Sequence, residues 1–293
     1  MTLVKPSAEA LNTSCWKQAV RLAFDGAAYA YDAHAAIQRE TLPTLVHCWQ
    51  GLSGFPQPTT WMDMGTGTGE AAFAFSQYAF SNKVLQPSAN PTLASPPVLY
   101  LNDCSGEMLT LAQQKLEKHP LGVSIHPVLG DSETLVFPQA LLDGISAHWV
   151  LQWIPDWQAA LDHWWQHTHC LAFTVPLNDS FKEWGGACST VGVASTLNSC
   201  HYPSLKSLTE WCHRQGAGQL IIKNEVLTQH FASGHDFLRS LKAIGAHTPF
   251  PKATSSSLRP VLKATSGGFS VTTHVAWVVM ARAPIGSTES RSV

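Results

Sequence analysis

Apolar residues recur at helical spacing over residues 15–49, with Val20, Phe24, Tyr31, Ile37, Leu42 and Leu45 among them, and predict an N-terminal helical region. Residues 51–58 are rich in turn formers and end it. The period then switches repeatedly. Strands are predicted over 59–64, 98–101, 124–129, 144–148 and 170–175. A tight glycine turn at 65–69 follows the first strand, and helices are predicted over 70–80, 107–118 and 157–165. This alternation implies an α/β fold, a doubly wound and mainly parallel sheet with helices on both faces. Residues 81–97, rich in Pro, Asn and Ser, read as a surface loop inserted between two of these elements.

After Pro176 the pattern loosens. Helices are predicted over 205–215 and 237–244, a strand over 220–227, and a strongly β segment over 270–282 with Val271, Val275, Trp277 and Val279. The chain divides into an N-terminal helical cap (1–58), a ligand-binding α/β core (59–176), a lid with the closing strands (177–283) and a polar tail (284–293) expected to be disordered.

At 293 residues and 45% hydrophobic content the chain can fill a large core without staples. Seven Cys, an odd number with no C-x-x-C pair, argue against a disulfide framework and a zinc site and fit a reducing cytoplasm. No metal is expected. Residues 1–16 do not resemble a signal peptide, and no stretch approaches the roughly 18 apolar residues of a membrane span. Net charge is only −2, but residues 1–200 carry 8 Lys and Arg against 16 Asp and Glu, whereas residues 201–293 carry 10 against 4. The basic last third, with Lys206, Arg214, Arg239, Lys242, Lys252, Arg259 and Lys263, favours an acidic partner or is simply a solvated surface. No nucleic acid or membrane partner is expected.

The strongest local signal is W-M-D-M-G-T-G-T-G-E at 61–70. A strand runs into a turn where glycine lets backbone approach a ligand closely. Dinucleotide sites need G-x-G-x-x-G, and here the third glycine comes one residue early. Asp103 ends the second strand in Y-L-N-D-C-S-G-E-M-L (100–109), where a carboxylate can accept from both hydroxyls of a ribose. Asp131 follows the third strand in G-D-S-E (130–133) and can accept from an adenine amino group. Sites in open α/β sheets lie at the carboxyl ends of strands, so three acidic residues at three such ends reinforce one another.

The D-x-G-x-G-x-G turn resembles the first motif of class I S-adenosylmethionine-dependent methyltransferases. Three further stretches narrow the resemblance: F-D-G-A-A-Y-A-Y-D-A-H-A-A-I-Q-R (24–39), L-D-G-I-S-A-H-W-V-L-Q-W (142–153) and F-L-R-S-L-K-A-I-G-A (237–246). Together these resemble the malonyl-acyl-carrier-protein O-methyltransferase family of bacterial biotin synthesis, over about residues 20–282. Thr66 departs from the family's usual Cys, His148 from its Asn, and Thr273 stands where the family can show Tyr.

The resemblance implies S-adenosylmethionine as cofactor, with Gln38, Arg39, Asp63, Gly65, Thr66, Gly67, Gly69, Asp103, Cys104, Met108, Asp131, Ser132 and His148 as its contacts. It implies methyl transfer to the free carboxylate of a malonyl thioester on an acidic acyl carrier protein. For the group that orients this carboxylate, Arg239 is the first expectation, for its planar fork, with Lys242 one turn on and Tyr31 on the N-terminal helix as the others. Two other functions stay open: a small-molecule carboxyl- or N-methyltransferase on the same core, and a cofactor-binding partner protein without catalysis. The pair His163/His167 has i, i+4 spacing but lacks the Glu of H-E-x-x-H and reads as structural.

Overall fold

The computed structural model describes residues 8–54, 57–80, 96–119, 122–137, 140–195, 197, 201–249 and 257–283, with side chains from residue 13. Two helices, α1 (Ala8–His34) and α2 (Ala36–Gln50), precede the alternating core. The core runs β1 (Thr60–Met64), α3 (Glu70–Ala79), β2 (Val98–Asp103), α4 (Gly106–Lys118), β3 (Ser124–Leu129), β4 (Leu142–His148), a 3-10 turn (Leu151–Trp153), α5 (Trp157–Gln166) and β5 (Thr168–Pro176). There follow α6 (Lys182–Thr190), α7 (Leu205–Arg214), β6 (Gln219–Phe231), α8 (Gly234–Ala243), α9 (Arg259–Ala264) and β7 (Phe269–Ala281).

The seven strands form one sheet in the order β3-β2-β1-β4-β5-β7-β6. The first five pair in parallel and β7 runs antiparallel to both β5 and β6. The sheet is thus doubly wound and mainly parallel, as the strand–helix alternation implies. The order reverses between β1 and β4, which opens a crevice at the strand ends there. Both faces are covered, so the central strands read as continuous apolar runs. One face packs on Leu161, Trp164 and Trp165 of α5 and on Leu208 and Trp211 of α7. The other packs on Leu42 and Leu45 of α2, Phe75 of α3 and Leu109 of α4.

β7 pairs with β5 only from Val275 onward, while its first half, 269–274, pairs with β6 alone. That two-stranded arm carries its own cluster, in which Val271 packs with Trp184 of α6, Phe237 of α8 and Val261 of α9.

Several bounds differ from expectation. The N-terminal helical region consists of two helices, divided at Ala35, whose ψ of 52° leaves the helical region. β2 continues two residues beyond 101, because Asn102 and Asp103 stay in register with Val128 and Leu129. Polar residues hide a strand end. α8 begins at Gly234, capped by the Ser233 hydroxyl accepting from Asp236 N–H, three residues before the apolar run. α6, α9 and the 3-10 turn were not anticipated. Residues 81–95 and the tail from 284 lie outside the described residues.

Candidate functional site

The glycine turn follows β1 directly. Gly65, Gly67 and Gly69 all have positive φ, at 57°, 55° and 87°. Their reasons differ. A Cβ on Gly65 would stand 2.6 Å from Val150 Cγ2, and one on Gly69 would stand 3.1 Å from Ala112, so Gly69 serves the packing of α4. A Cβ on Gly67 meets nothing within 4 Å, because that face opens into a cleft.

Asp63 does not line this cleft. It is buried beneath the turn, accepting from Thr66 Oγ1 at 2.8 Å and Ser146 Oγ at 2.5 Å. Burial pushes its pKa up to about 6 against those two bonds. It therefore braces the turn from below, and the expectation that it contacts a ligand is replaced by a positioning role. Asp103 does line the cleft, accepting from Gly67 N–H at 2.9 Å and Ser105 N–H at 2.8 Å. Burial raises its pKa, and these backbone bonds oppose the shift.

The cleft encloses about 790 Å³ of empty space, the solvent at its mouth included. Gly65, Gly67, Asp103, Cys104, Met108, Asp131, Ser132 and His148 line it at the strand ends, so sequence reasoning brought together residues from four strand ends. Burial pushes the Cys104 thiol up to about 12, so it stays protonated. Val20, Phe24 and Tyr31 of α1 form the opposite wall. Burial, with Asp103 and Asp32 nearby, holds the Tyr31 phenol well above its ordinary pKa.

Helix α1 is tied across the cleft by polar bonds. Lys17 bonds Asp131 at 2.5 Å and also Glu133. Ser105 Oγ donates to Asp25 at 2.6 Å, and Asp32 takes Lys115 at 2.8 Å and Thr68 Oγ1 at 2.5 Å. The adenine-side carboxylate predicted from sequence thus already has a cation. Two atoms at the cleft remain buried without a partner among the described residues, Asn102 Oδ1 and His148 Nδ1.

His148 Nε2 lies 2.9 Å from the Gln38 carbonyl, so that nitrogen carries the proton and Nδ1 the lone pair. Desolvation holds the ring neutral, with its pKa down to about 4.

A second chamber adjoins the cleft. Trp149 and Trp153 line both spaces. Trp149 has a φ of 59°, a left-handed backbone rare for a bulky residue, and its indole donates to Thr41 Oγ1 at 2.8 Å. The chamber is walled by Phe181, Phe237, Leu241 and Ile244, with Gln38, Gln152, Tyr202 and Thr273 as polar groups.

Other expected residues fall elsewhere. Arg39 donates to the Asp32 carbonyl and lines a smaller recess with Thr66 and Gln38. Tyr31 faces the cleft and that recess, and is not among the residues lining the chamber. Arg239 is 66% exposed and pairs with Asp236 at 3.0 Å. Neither it nor the exposed Lys242 lines the chamber, because the apolar stripe of α8 turns Phe237, Leu241 and Ile244 inward and both cations outward. His167 stacks on Phe137, His163 meets the same ring edge-on, and both bond backbone carbonyls. No group of His, Cys, Asp and Glu suited to a metal occurs among the described residues. Sequence reasoning missed Lys17, Asn102, Trp149, Trp153 and Tyr202. Asn102 and Trp149 adjoin residues it did single out, which is the signal that could have found them.

A family model described as a methyltransferase domain matches residues 29–218. A malonyl-[acyl-carrier protein] O-methyltransferase of Magnetococcus marinus is 30% identical over 182 residues, covering 59% of this chain and 65% of the relative. One from Serratia marcescens is 28% identical, covering 80% of this chain and 81% of the relative. The biotin biosynthesis bifunctional protein of Teredinibacter turnerae is 25% identical, covering 79% of this chain and 39% of its own length. The chain thus spans less than two thirds of the Magnetococcus and Teredinibacter proteins. The YcgJ protein of Bacillus subtilis shares the fold, with a TM-score of 0.52 at 13% identity, covering 84% of this chain and 99% of that one.

Proposed function

The chain belongs to the methyltransferase-domain family, with S-adenosylmethionine as methyl donor, and from that premise we propose that it methylates the free carboxylate of a malonyl thioester carried on an acyl carrier protein, an early step of biotin synthesis. The observation that carries this reading is the meeting of two spaces at Trp149 and Trp153: a cleft ending three strands in acidic or glycine positions, and a largely apolar chamber beside it.

The cleft fits the cofactor. Asp103 keeps a lone pair on each oxygen for ribose hydroxyls, Asp131 and Ser132 would face the adenine, and Gly65 and Gly67 would lie along the amino-acid end. Asn102 Oδ1 and His148 Nδ1 are unpartnered acceptors for its N–H and ammonium donors. When bound, S-adenosylmethionine supplies the methyl group, a C–S bond breaking as a C–O bond forms, the sulfonium and carboxylate charges cancelling and no proton moving. A malonyl carboxylate is already ionised at neutral pH, so the protein needs no general base. Its task is in-line positioning and exclusion of water, to which the α1 wall and the two tryptophans at the junction contribute.

The basic last third suits an acidic carrier. Arg239 and Lys242 stand exposed on the outer face of α8, whose Ser240 and Leu241 line the chamber, so a carrier docked there would deliver its arm to the chamber. The proposed acyl-carrier substrate supports a cytoplasmic site of action; no helix among the described residues is long and apolar enough to cross a membrane. Isotopically labelled methyl donor tests the proposal. Label should appear on malonyl-carrier protein and be released by mild alkali, as an ester is. Alkali-stable label, or label on an amine acceptor only, would replace it with N-methyl transfer.

A further inference from the structure

We propose that the second chamber is an acceptor seat that holds a single terminal carboxylate through two uncharged hydroxyl donors, Tyr202 and Thr273, without a side-chain cation. The inference rests on the methyl-transfer reading above and adds the groups that select the acceptor.

Thr273 sits on β7 opposite Leu227 and is fully buried, yet its Oγ1 has no partner among the described residues. A hydroxyl in that state is costly unless something returns to fill it, and this one lines a cavity. The Tyr202 hydroxyl also has no partner among the described residues, and it lines the same cavity. Burial pushes its phenol well above the ordinary range, so the proton remains on the oxygen and available for donation at any physiological pH. Two donors lining one cavity match in number the two oxygens of a carboxylate.

The lining is equally informative for what it lacks. Among the described residues around the chamber there is no Asp, Glu, Lys or Arg, and His34 alone could carry a charge. An amine would find no carboxylate there, and a dianion such as free malonate would bring a second charge against Phe181, Phe237 and Leu241. A guanidinium on the carboxylate would withdraw charge from the attacking oxygen, whereas neutral hydroxyls orient it with less quenching.

Acceptor atoms complete the pattern. Gln152 spends its amide N–H on the Trp149 carbonyl at 2.7 Å, leaving Oε1 buried and unpartnered, and Gln38 Oε1 is in the same state. These oxygens can take N–H groups from an amide-bearing arm. The chamber therefore suits a monoanionic carboxyacyl group attached through an uncharged thioester to such an arm.

The test uses the full chain saturated with S-adenosylhomocysteine and titrated calorimetrically with malonyl-N-acetylcysteamine thioester. Tyr202→Phe and Thr273→Val, each removing one hydroxyl at nearly constant shape, should each weaken binding tenfold or more. Affinity for S-adenosylhomocysteine should stay within twofold, which shows that both variants fold. The neutral acetyl thioester should bind at least tenfold more weakly than the malonyl one to the unaltered protein. Equal binding of the malonyl thioester by all three proteins, no binding by the unaltered protein, or equal binding of the acetyl thioester would each overturn the seat. Methyl transfer is scored separately with labelled donor. Hydroxyl-dependent binding without transfer keeps the seat and removes the proposed reaction. Transfer that ignores both substitutions keeps the reaction and removes the seat.

Discussion

Gly67 N–H donates to Asp103 Oδ2 at 2.9 Å, so the turn after the first strand is fastened to the last residue of the second. The other Asp103 oxygen takes Ser105 N–H at 2.8 Å, which fixes the carboxylate's plane before any ligand arrives. A preorganised acceptor loses little freedom on binding. Asp103→Ala should weaken S-adenosylhomocysteine binding by about 1.5–3 kcal/mol, the cost of losing a charged acceptor and loosening the turn. Calorimetric titration reads this directly. Unchanged affinity would leave Asp103 a brace for the glycine turn and nothing more.

Gly65 and Gly67 share a backbone conformation but not an environment, and alanine separates them. Gly65→Ala drives a Cβ to 2.6 Å from Val150 as well as straining the backbone, so it should cost about 2–4 kcal/mol of stability. Gly67→Ala meets no protein atom within 4 Å and should cost only the backbone preference, about 1–2 kcal/mol. Its methyl would stand in the cleft, so Gly67→Ala should lose S-adenosylhomocysteine affinity out of proportion to stability. Denaturant melts beside titrations check both, and similar stability losses for the two variants would contradict the geometry.

His148 and Asp63 titrate in opposite senses in one pH window. The unfolded chain protonates His148 near pH 6.5 and the folded chain only near about 4, so the unfolded state binds more protons between these values and acidification destabilises the fold. Asp63 has a folded pKa of about 6 against an ordinary 3.8, so the folded state binds more protons and acidification stabilises it. The two effects largely offset. His148→Asn removes one of them, so unaltered protein should lose roughly 3 kcal/mol relative to this variant between pH 7 and pH 4. Urea midpoints measured across that range test the sign, and a pH-independent difference would mean that His148 is not held neutral by burial.

Arg239 lies on the outer face of α8, 66% exposed, and this location predicts where its loss is felt. Arg239→Ala should raise KM for malonyl-carrier protein roughly three- to tenfold, about 0.7–1.4 kcal/mol. Added salt should produce a similar rise, since exposed charges are screened over roughly 8 Å at physiological ionic strength. A carrier-free malonyl thioester should show neither effect. A matching loss with that small substrate would return Arg239 to carboxylate recognition.

The cleft was legible because its lining sits in contiguous motifs. The glycines, Asp103 and Asp131 each stand at or just after a strand end, and a doubly wound sheet brings strand ends together without further information. Two assignments within those motifs failed for a local reason. Asp63 accepts from Ser146 beneath the turn, and Gly69 leaves room for Ala112 of α4, which spacing alone does not reveal. The chamber was not legible, because Gln38, Trp149, Tyr202 and Thr273 come from four separated segments and meet only through tertiary packing. Arg239 shows the converse. A guanidinium in a family-like segment invites a catalytic role, but the helical phase of its neighbours Phe237 and Leu241 turns it outward. That phase was present in the sequence and outweighs the residue's chemistry.

Intact-mass spectrometry of malonyl-carrier protein, after incubation with this protein and S-adenosylmethionine, reads carboxylate methylation itself. A gain of one methyl group is expected on the malonyl-loaded carrier, reversed by mild alkali, and no gain on the acetyl-loaded carrier, which offers no free carboxylate. An unchanged mass on the malonyl-loaded carrier, with the protein folded and binding S-adenosylhomocysteine, would contradict it.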